Sequence, residues 1–370
     1  MILFSAAYRL FFPAAGLFAA GVIPLWLVIF STGNSDLFDP LGWHMHEMLF
    51  GFLPAALAGF LLTAIPNWTG RPALTGAPLA ILFALWLAGR ILLFAFSHAY
   101  GTEFIALSFL PLLALIAGRD ILMARNRRNY VVVALILALW FAQGVFFFVD
   151  NDLGASIGLA VSLVLMALIG GRVTPAFSRN WLKKRAGTTL PAPFGLIDRA
   201  ALSLTTLAAL SWSLSGPGTA TGTLSGVAAL TLAVRLARWK AWHVKREPLL
   251  LAQHAGFAWL VIGTGLLALH SLTDLATMAQ VRHAIGAGAV GTITVIVMLR
   301  AILGHSGRPI DGTTLDWVLL IALHLGAVLR VSSGWFGEPM ALLHASGALW
   351  SLGMTLFVIR IIPIALAPRV

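Results

Sequence analysis

From residue 10 to residue 363 the chain reads as a succession of mainly apolar stretches, each close to the length of about 20 residues that a helix needs to cross the hydrocarbon core of a bilayer. There are twelve: 10–30, 43–65, 78–96, 103–121, 130–149, 153–170, 200–215, 224–241, 249–271, 283–303, 315–333 and 339–363. Lipid offers no water to pair backbone N–H and C=O groups, so a spanning segment must be a helix or part of a closed barrel. Unbroken apolar runs of this length without strict alternation are helices. The expected fold is an all-α polytopic membrane protein with about twelve transmembrane helices, a single transmembrane domain over 1–370. The seventh run is short and its boundaries are soft. Charged residues are only 10% of the chain and mean hydropathy is +0.93, against about 25% charged in a soluble domain, so no soluble domain is expected.

Basic residues outnumber acidic ones, 24 to 13, but they do not point to nucleic acid. Arg71, then Arg119, Arg125, Arg127 and Arg128, then Arg172, Arg179, Lys183, Lys184 and Arg185, then Arg238, Lys240, Lys245 and Arg246, then Arg308 fall in alternate loops. That is the positive-inside pattern, and it places both termini in the cytoplasm. Arg9 before the first run resembles a signal-peptide start, but Ser31-Thr32-Gly33-Asn34 is a poor cleavage site and the run reads as a retained span. The segment from Gly171 to Asp198 reads as a basic cytoplasmic linker.

Polar side chains inside spans are costly and mark function by default. The densest set is Trp43-His44-Met45-His46-Glu47-Met48 at the mouth of the second run. With no cysteine in the chain, thiolate copper and iron–sulfur sites are excluded, and a metal would be held by His, Met or carboxylate. His44, His46, His98, His270, His283 and His344 lie towards the outer side, His254 and His305 towards the inner side, and His324 near the middle. For His98 and His270 the plainer alternative is an interfacial polar residue, and His243 belongs to a basic loop.

An internal echo links two spans. His46 to Gly70-Arg71-Pro72 and His283 to Gly307-Arg308-Pro309 share one offset, Gly51 and Gly288 fall at matching places, and Gly171-Arg172-Val173-Thr174-Pro175 reads as a related turn ending the sixth span. This suggests three four-helix units, although Gly-Arg-Pro is also a plain helix stop. On the repeat reading, His46 and His283 sit at equal depth and would face each other across haem, an arrangement that needs no cysteine. The small residues from Ala284 to Gly291 leave room for a flat ring, and serve helix packing equally well.

Asp39 and Pro40 read as N-cap and first helical residue. His44 and His46 are then about 200° apart on one helix and would serve different centres. Glu47 and Met48 share the face of His44, which with His344 as a third partner suits copper; alternatively Glu47 only hydrogen-bonds a packed histidine. His254 and His305 are the one inner-side pair. Arg90 and Arg330 would pair with haem propionates or snorkel to the outer interface.

These motifs resemble the NnrS family of bacterial inner-membrane proteins. The resemblance runs through Tyr8-Arg9-Leu10-Phe11-Phe12, His44 to Phe52, Ala58 to Pro72, Ala124 to Asn129, Ile169 to Val173, and His283 to Pro309, nearly the whole chain. It implies a multi-pass protein carrying haem, expected to be b-type, and copper, acting in the response to nitric oxide in denitrifying and nitrosatively stressed bacteria. The family's motif histidines map onto His44, His46, His254, His283 and His305. Nitric oxide is then the small-molecule partner, with an electron donor needed if it is turned over. A secondary transporter is the competing class, but its polar groups should gather near the bilayer midplane, where only His324 lies. A scaffold delivering haem or copper would use the same ligands.

Overall fold

The computed structural model describes residues 2–33, 39–96, 100–185, 187 and 189–370. The apolar runs are helices: α1 (Ala7–Thr32), α2 (Pro40–Thr69), α3 (Ala77–Ala95), α4 (Thr102–Met123), α5 (Tyr130–Phe148), α6 (Asn151–Lys184), α7 (Leu196–Ser215), α8 (Thr219–Ala237), α9 (Pro248–Leu272), α10 (Met278–His305), α11 (Thr314–Ser332) and α12 (Met340–Leu366). Among the described residues eleven of them are long and apolar enough to cross a membrane. The exception is α7, whose Ser203, Thr205, Thr206, Ser211 and Ser213 dilute its apolar content. The chain is an all-helical, multi-pass membrane protein.

Asp39 caps α2 as its sequence predicts, accepting from the backbone N–H of Leu41 and Gly42 at 3.0 and 2.9 Å. Gly70 closes the same helix in the left-handed region, φ 71°, and Gly307 plays that part after α10 at φ 81°, so two of the three Gly-Arg turns are real stops. The third is not. The sequence reading ended the sixth span near Gly171, but α6 continues through Pro175 to Lys184, and the expected linker is helical over its first half. Pro175 has no N–H for the carbonyl of Gly171 four residues earlier. The guanidinium of Arg235 on α8 takes its place: Nη2 donates to Gly171 O at 3.2 Å and Nη1 to Ala167 O at 2.9 Å. A Cβ at position 171 would lie 2.3 Å from Nη2, so glycine is what lets the arginine reach the helix backbone.

The chain divides into two compact units, not into three four-helix segments: Met1–Gly158 with Val297–Ile310 and Met354–Val370, and Leu159–Ile296 with Asp311–Gly353. In the first, Phe11, Phe12 and Ala15 of α1 are fully buried. Gly16 admits Phe357 and Val358 of α12, and Gly59 of α2 admits Phe12. Arg9 Nη1 donates to the carbonyls of Ala365 and Ala367 at 2.7 and 2.5 Å. The start of α1 and the end of α12 are therefore at the same end of this unit.

In the second unit Arg235 is fully buried and forms an ion pair with Asp198 at the start of α7, Nε to Oδ1 2.9 Å. Arg238 holds the other carboxylate oxygen at 3.1 Å from a half-exposed position. The Arg235 guanidinium also lies 5.4 Å from the Trp239 ring centre and 5.7 Å from that of Phe257. One charge thus ties α6, α7, α8 and α9 together.

Candidate functional site

The two histidines singled out by the echo share a local backbone. Directly after His46, residues Glu47–Phe52 form a wide turn with i→i+5 hydrogen bonding, and directly after His283 residues Ala284–Gly291 do the same. Such π segments are rare and favour functional sites. In α2 the turn precedes Pro54, which cannot donate to the carbonyl of Phe50 and crowds it. In α10 no proline is near, and Gly286, Gly288 and Gly291 supply the latitude instead.

In the first unit the wide turn gathers a buried polar chain. His46 Nδ1 lies 2.9 Å from Glu47 Oε1, Arg90 Nη1 on α3 donates to Glu47 Oε2 at 2.8 Å, and Gln143 Nε2 on α5 lies 3.1 Å from His46 Nε2. Glu47 and Gln143 have no exposed surface, and His46 and Arg90 are almost as buried. The protonation that satisfies every contact puts the proton on Nδ1, donating to the carboxylate, with Nε2 accepting from the amide. Gly51 leaves room for the pair, since a Cβ there would be 2.5 Å from Arg90 Nη1 and 2.7 Å from Glu47 Oε2. Its carbonyl accepts from Trp86 Nε1 at 2.9 Å. Phe50, Phe146 and Phe147 surround the imidazole, ring centres 4.7 to 5.5 Å away.

This corrects one detail of the sequence reading. Glu47 pairs with His46 and Arg90, not with His44, because the turn widens at Glu47 and redirects its side chain from the ideal helical face. His44 instead stacks on Trp26, centres 4.3 Å apart, with Met48 half-buried one turn on. Arg90 is drawn inward to Glu47, not outward to the interface.

In the second unit His283 is half-buried with Nδ1 2.8 Å from Ala279 O, and a carbonyl can only accept, so Nδ1 carries the proton. Gly288 of its wide turn lies under the Trp259 ring of α9, and Gly291 lies under Trp350 of α12: added Cβ atoms would sit 2.5 Å from either ring. Trp259 Nε1 donates to His324 Nδ1 at 3.1 Å. Gly288→Ala is expected to destabilise by about 1–3 kcal/mol through overpacking. Gly286→Ala, whose Cβ would meet only Leu159 Cδ2 at 3.8 Å, should be neutral or slightly stabilising. Denaturant unfolding of both variants checks the contrast, and equal losses would refute it.

The remaining histidines are dispersed. His254 is buried, Nδ1 2.8 Å from Leu250 O, its ring edge-on to Trp239. His305 stacks on Tyr8 at 6.1 Å in the first unit, while His254 belongs to the second. His270 Nδ1 approaches Ala276 O at 3.0 Å. His344 is exposed, and His98 lies outside the described residues. Arg330 donates to Ser333 Oγ at 2.9 Å and lies 3.5 Å from Glu338. Among the described residues no three His, Asp or Glu side chains are grouped to hold a metal ion.

Haem and copper can be weighed against this donor set. At His46 and His283 an acceptor engages Nδ1, the orientation that metal-binding histidines take from their outer-shell partners, and at His46 the Nε2 position is held by the Gln143 amide. The residues fit haem iron, with Gln143 yielding the Nε2 position at His46. They do not fit a copper centre built on three His or carboxylate ligands.

The family described as NnrS protein matches residues 2–369. The chain belongs to the NnrS family. No curated protein matches it. NnrS membership supports a membrane protein of the nitric oxide response, and the histidine-headed turns of α2 and α10 are the places where this NnrS chain departs most from plain spanning helices. Sequence reading missed Gln143, Arg235 and Asp198. Gln143 and Arg235 were visible as polar residues within apolar runs, the signal that had flagged the histidines.

Proposed function

We propose that this protein binds haem in a bacterial inner membrane, with His46 and His283 as its iron ligands, and uses it to bind or turn over nitric oxide. The observation that carries the reading is the pair of wide turns, each opening directly after one of these histidines, with Nδ1 engaged by an acceptor. Haem iron supplies a gas-binding, redox-active centre when bound. The residues supply the rest: Glu47 fixes the His46 tautomer, Arg90 balances the carboxylate, and the three phenylalanines exclude water. Nitric oxide is apolar and partitions into lipid, so a membrane-buried centre is open to it. Copper, the family's second metal in this reading, would draw on His44 with the Met48 thioether. Turnover would need an electron donor.

The test is the ultraviolet–visible spectrum of the detergent-purified chain, oxidised, reduced, and reduced with nitric oxide, with haem and metal analysis. A Soret band that shifts with nitric oxide is expected. His46→Ala and His283→Ala should each lower bound haem at least about tenfold. Unchanged low-spin haem and stoichiometry in His283→Ala would overturn the pairing, and a colourless protein that cannot be reconstituted would overturn the reading.

A further inference from the structure

In the second unit α6 and α9 run antiparallel and touch at two levels. At one, Leu182 of α6 and Leu250 of α9 form a buried cluster with Val244, against which Trp181 packs. At the other, Gly170 of α6 faces the ring of Phe257 on α9, where a Cβ would be 3.5 Å from Cδ2. Residues 170, 174, 178 and 182 are four apart and form one stripe along α6; residues 250, 253 and 257 form one along α9. These two contacts bracket Thr174 and Ser178 on α6 and Gln253 on α9.

These three side chains are polar, almost completely buried, and without partners. Thr174 is 1% exposed, and Ser178 and Gln253 are 0% exposed. The two hydroxyls and both amide atoms of Gln253 have no hydrogen bond, nor has Trp181 Nε1 at the end of the stripe. Helical hydroxyls normally bond back to the carbonyl four residues earlier, as Thr63, Thr205 and Thr264 do here at 2.6 to 2.7 Å. Thr174 and Ser178 do not. Five unmet polar atoms along one helix–helix seam are too many to be individual exceptions, since native interiors satisfy nearly all such groups. Both donors and acceptors occur and none is charged, so the missing partner is small, neutral and able to donate and accept.

We propose that the α6–α9 seam is a hydration site, in which ordered water bridges Thr174, Ser178, Trp181 and Gln253. Each water finds the two to four polar partners that buried water requires. The site brings water to the flank of His254, the residue after Gln253, and it stands independently of the haem reading.

Removing a hydroxyl from a dry seam relieves an unmet group and stabilises, whereas removing it from a hydrated seam strands the water and its other partners. For the full-length chain in nanodiscs, Ser178→Ala and Thr174→Val are each expected to lower the unfolding midpoint by about 2–4 °C. Their double variant should lose less than the sum, because the two share water. Midpoints that stay or rise would overturn the proposal. Hydroxyl-radical footprinting of the unaltered chain needs no variant and decides the matter if these fail to fold. Phe257, which borders the seam, should be oxidised several-fold faster than Phe11 and Phe357, which are equally inaccessible in the first unit's core. Equal protection of all three would overturn it.

Discussion

Arg90→Met is expected to destabilise the protein by about 3–5 kcal/mol, because it removes the arginine paired with a carboxylate that has no exposed surface. The loss should exceed that of Glu47→Gln, which removes the charge itself and keeps an acceptor for His46. Arg90→Met combined with Glu47→Gln should recover most of the stability lost in Arg90→Met alone, since neither partner is then left as an isolated ion. Denaturant unfolding of the four proteins provides the cycle. Additive losses in the double variant would show that Arg90 contributes by packing alone and would remove the electrostatic account of the His46 site.

Arg235→Met should cost a similar amount, about 3–5 kcal/mol, for a different combination of reasons. Asp198 would lose its buried partner, and the carbonyls of Ala167 and Gly171 would lose their donors. Lysine should not restore it, because one ammonium cannot span the carboxylate and two carbonyls as the planar fork does. Arg238→Met removes a pair with the same aspartate, yet Arg238 is partly exposed and its loss should cost no more than about 1 kcal/mol. Comparable effects at 235 and 238 would refute the role given to burial.

The membrane architecture was legible because lipid imposes one requirement on every span, and apolar length reports it directly. Cap chemistry was legible where it is local: Asp39, Gly70 and Gly307 each act through their own backbone neighbours. Gly171 misled because the same Gly-Arg pair sits in a helix whose broken hydrogen bond is repaired by Arg235, 64 positions further along. No local pattern carries that information. At the candidate site, the echo singled out His46 and His283, which stand at the heads of two unusual turns, while helical-wheel geometry assigned Glu47 to the wrong histidine. An ideal wheel assumes a uniform helix, and the turn is not uniform there. Gln143 was hidden for a simpler reason: a single amide in an apolar run acquires meaning only from what it faces.

The wide turns have a consequence for how tolerant this chain is to changes of length. A turn closed by i→i+5 bonding contains one residue more than an α-helical turn, so the N-terminal end of α2 is one residue out of phase with its C-terminal end, and α10 shares the feature. Loss of a single residue between Glu47 and Phe52 could be absorbed by an ordinary helix with all its hydrogen bonds intact. It would swing His46 about 100° around the axis relative to the C-terminal half, away from Gln143 and Arg90. In these two segments the residue count, and not only residue identity, sets the direction in which each histidine points.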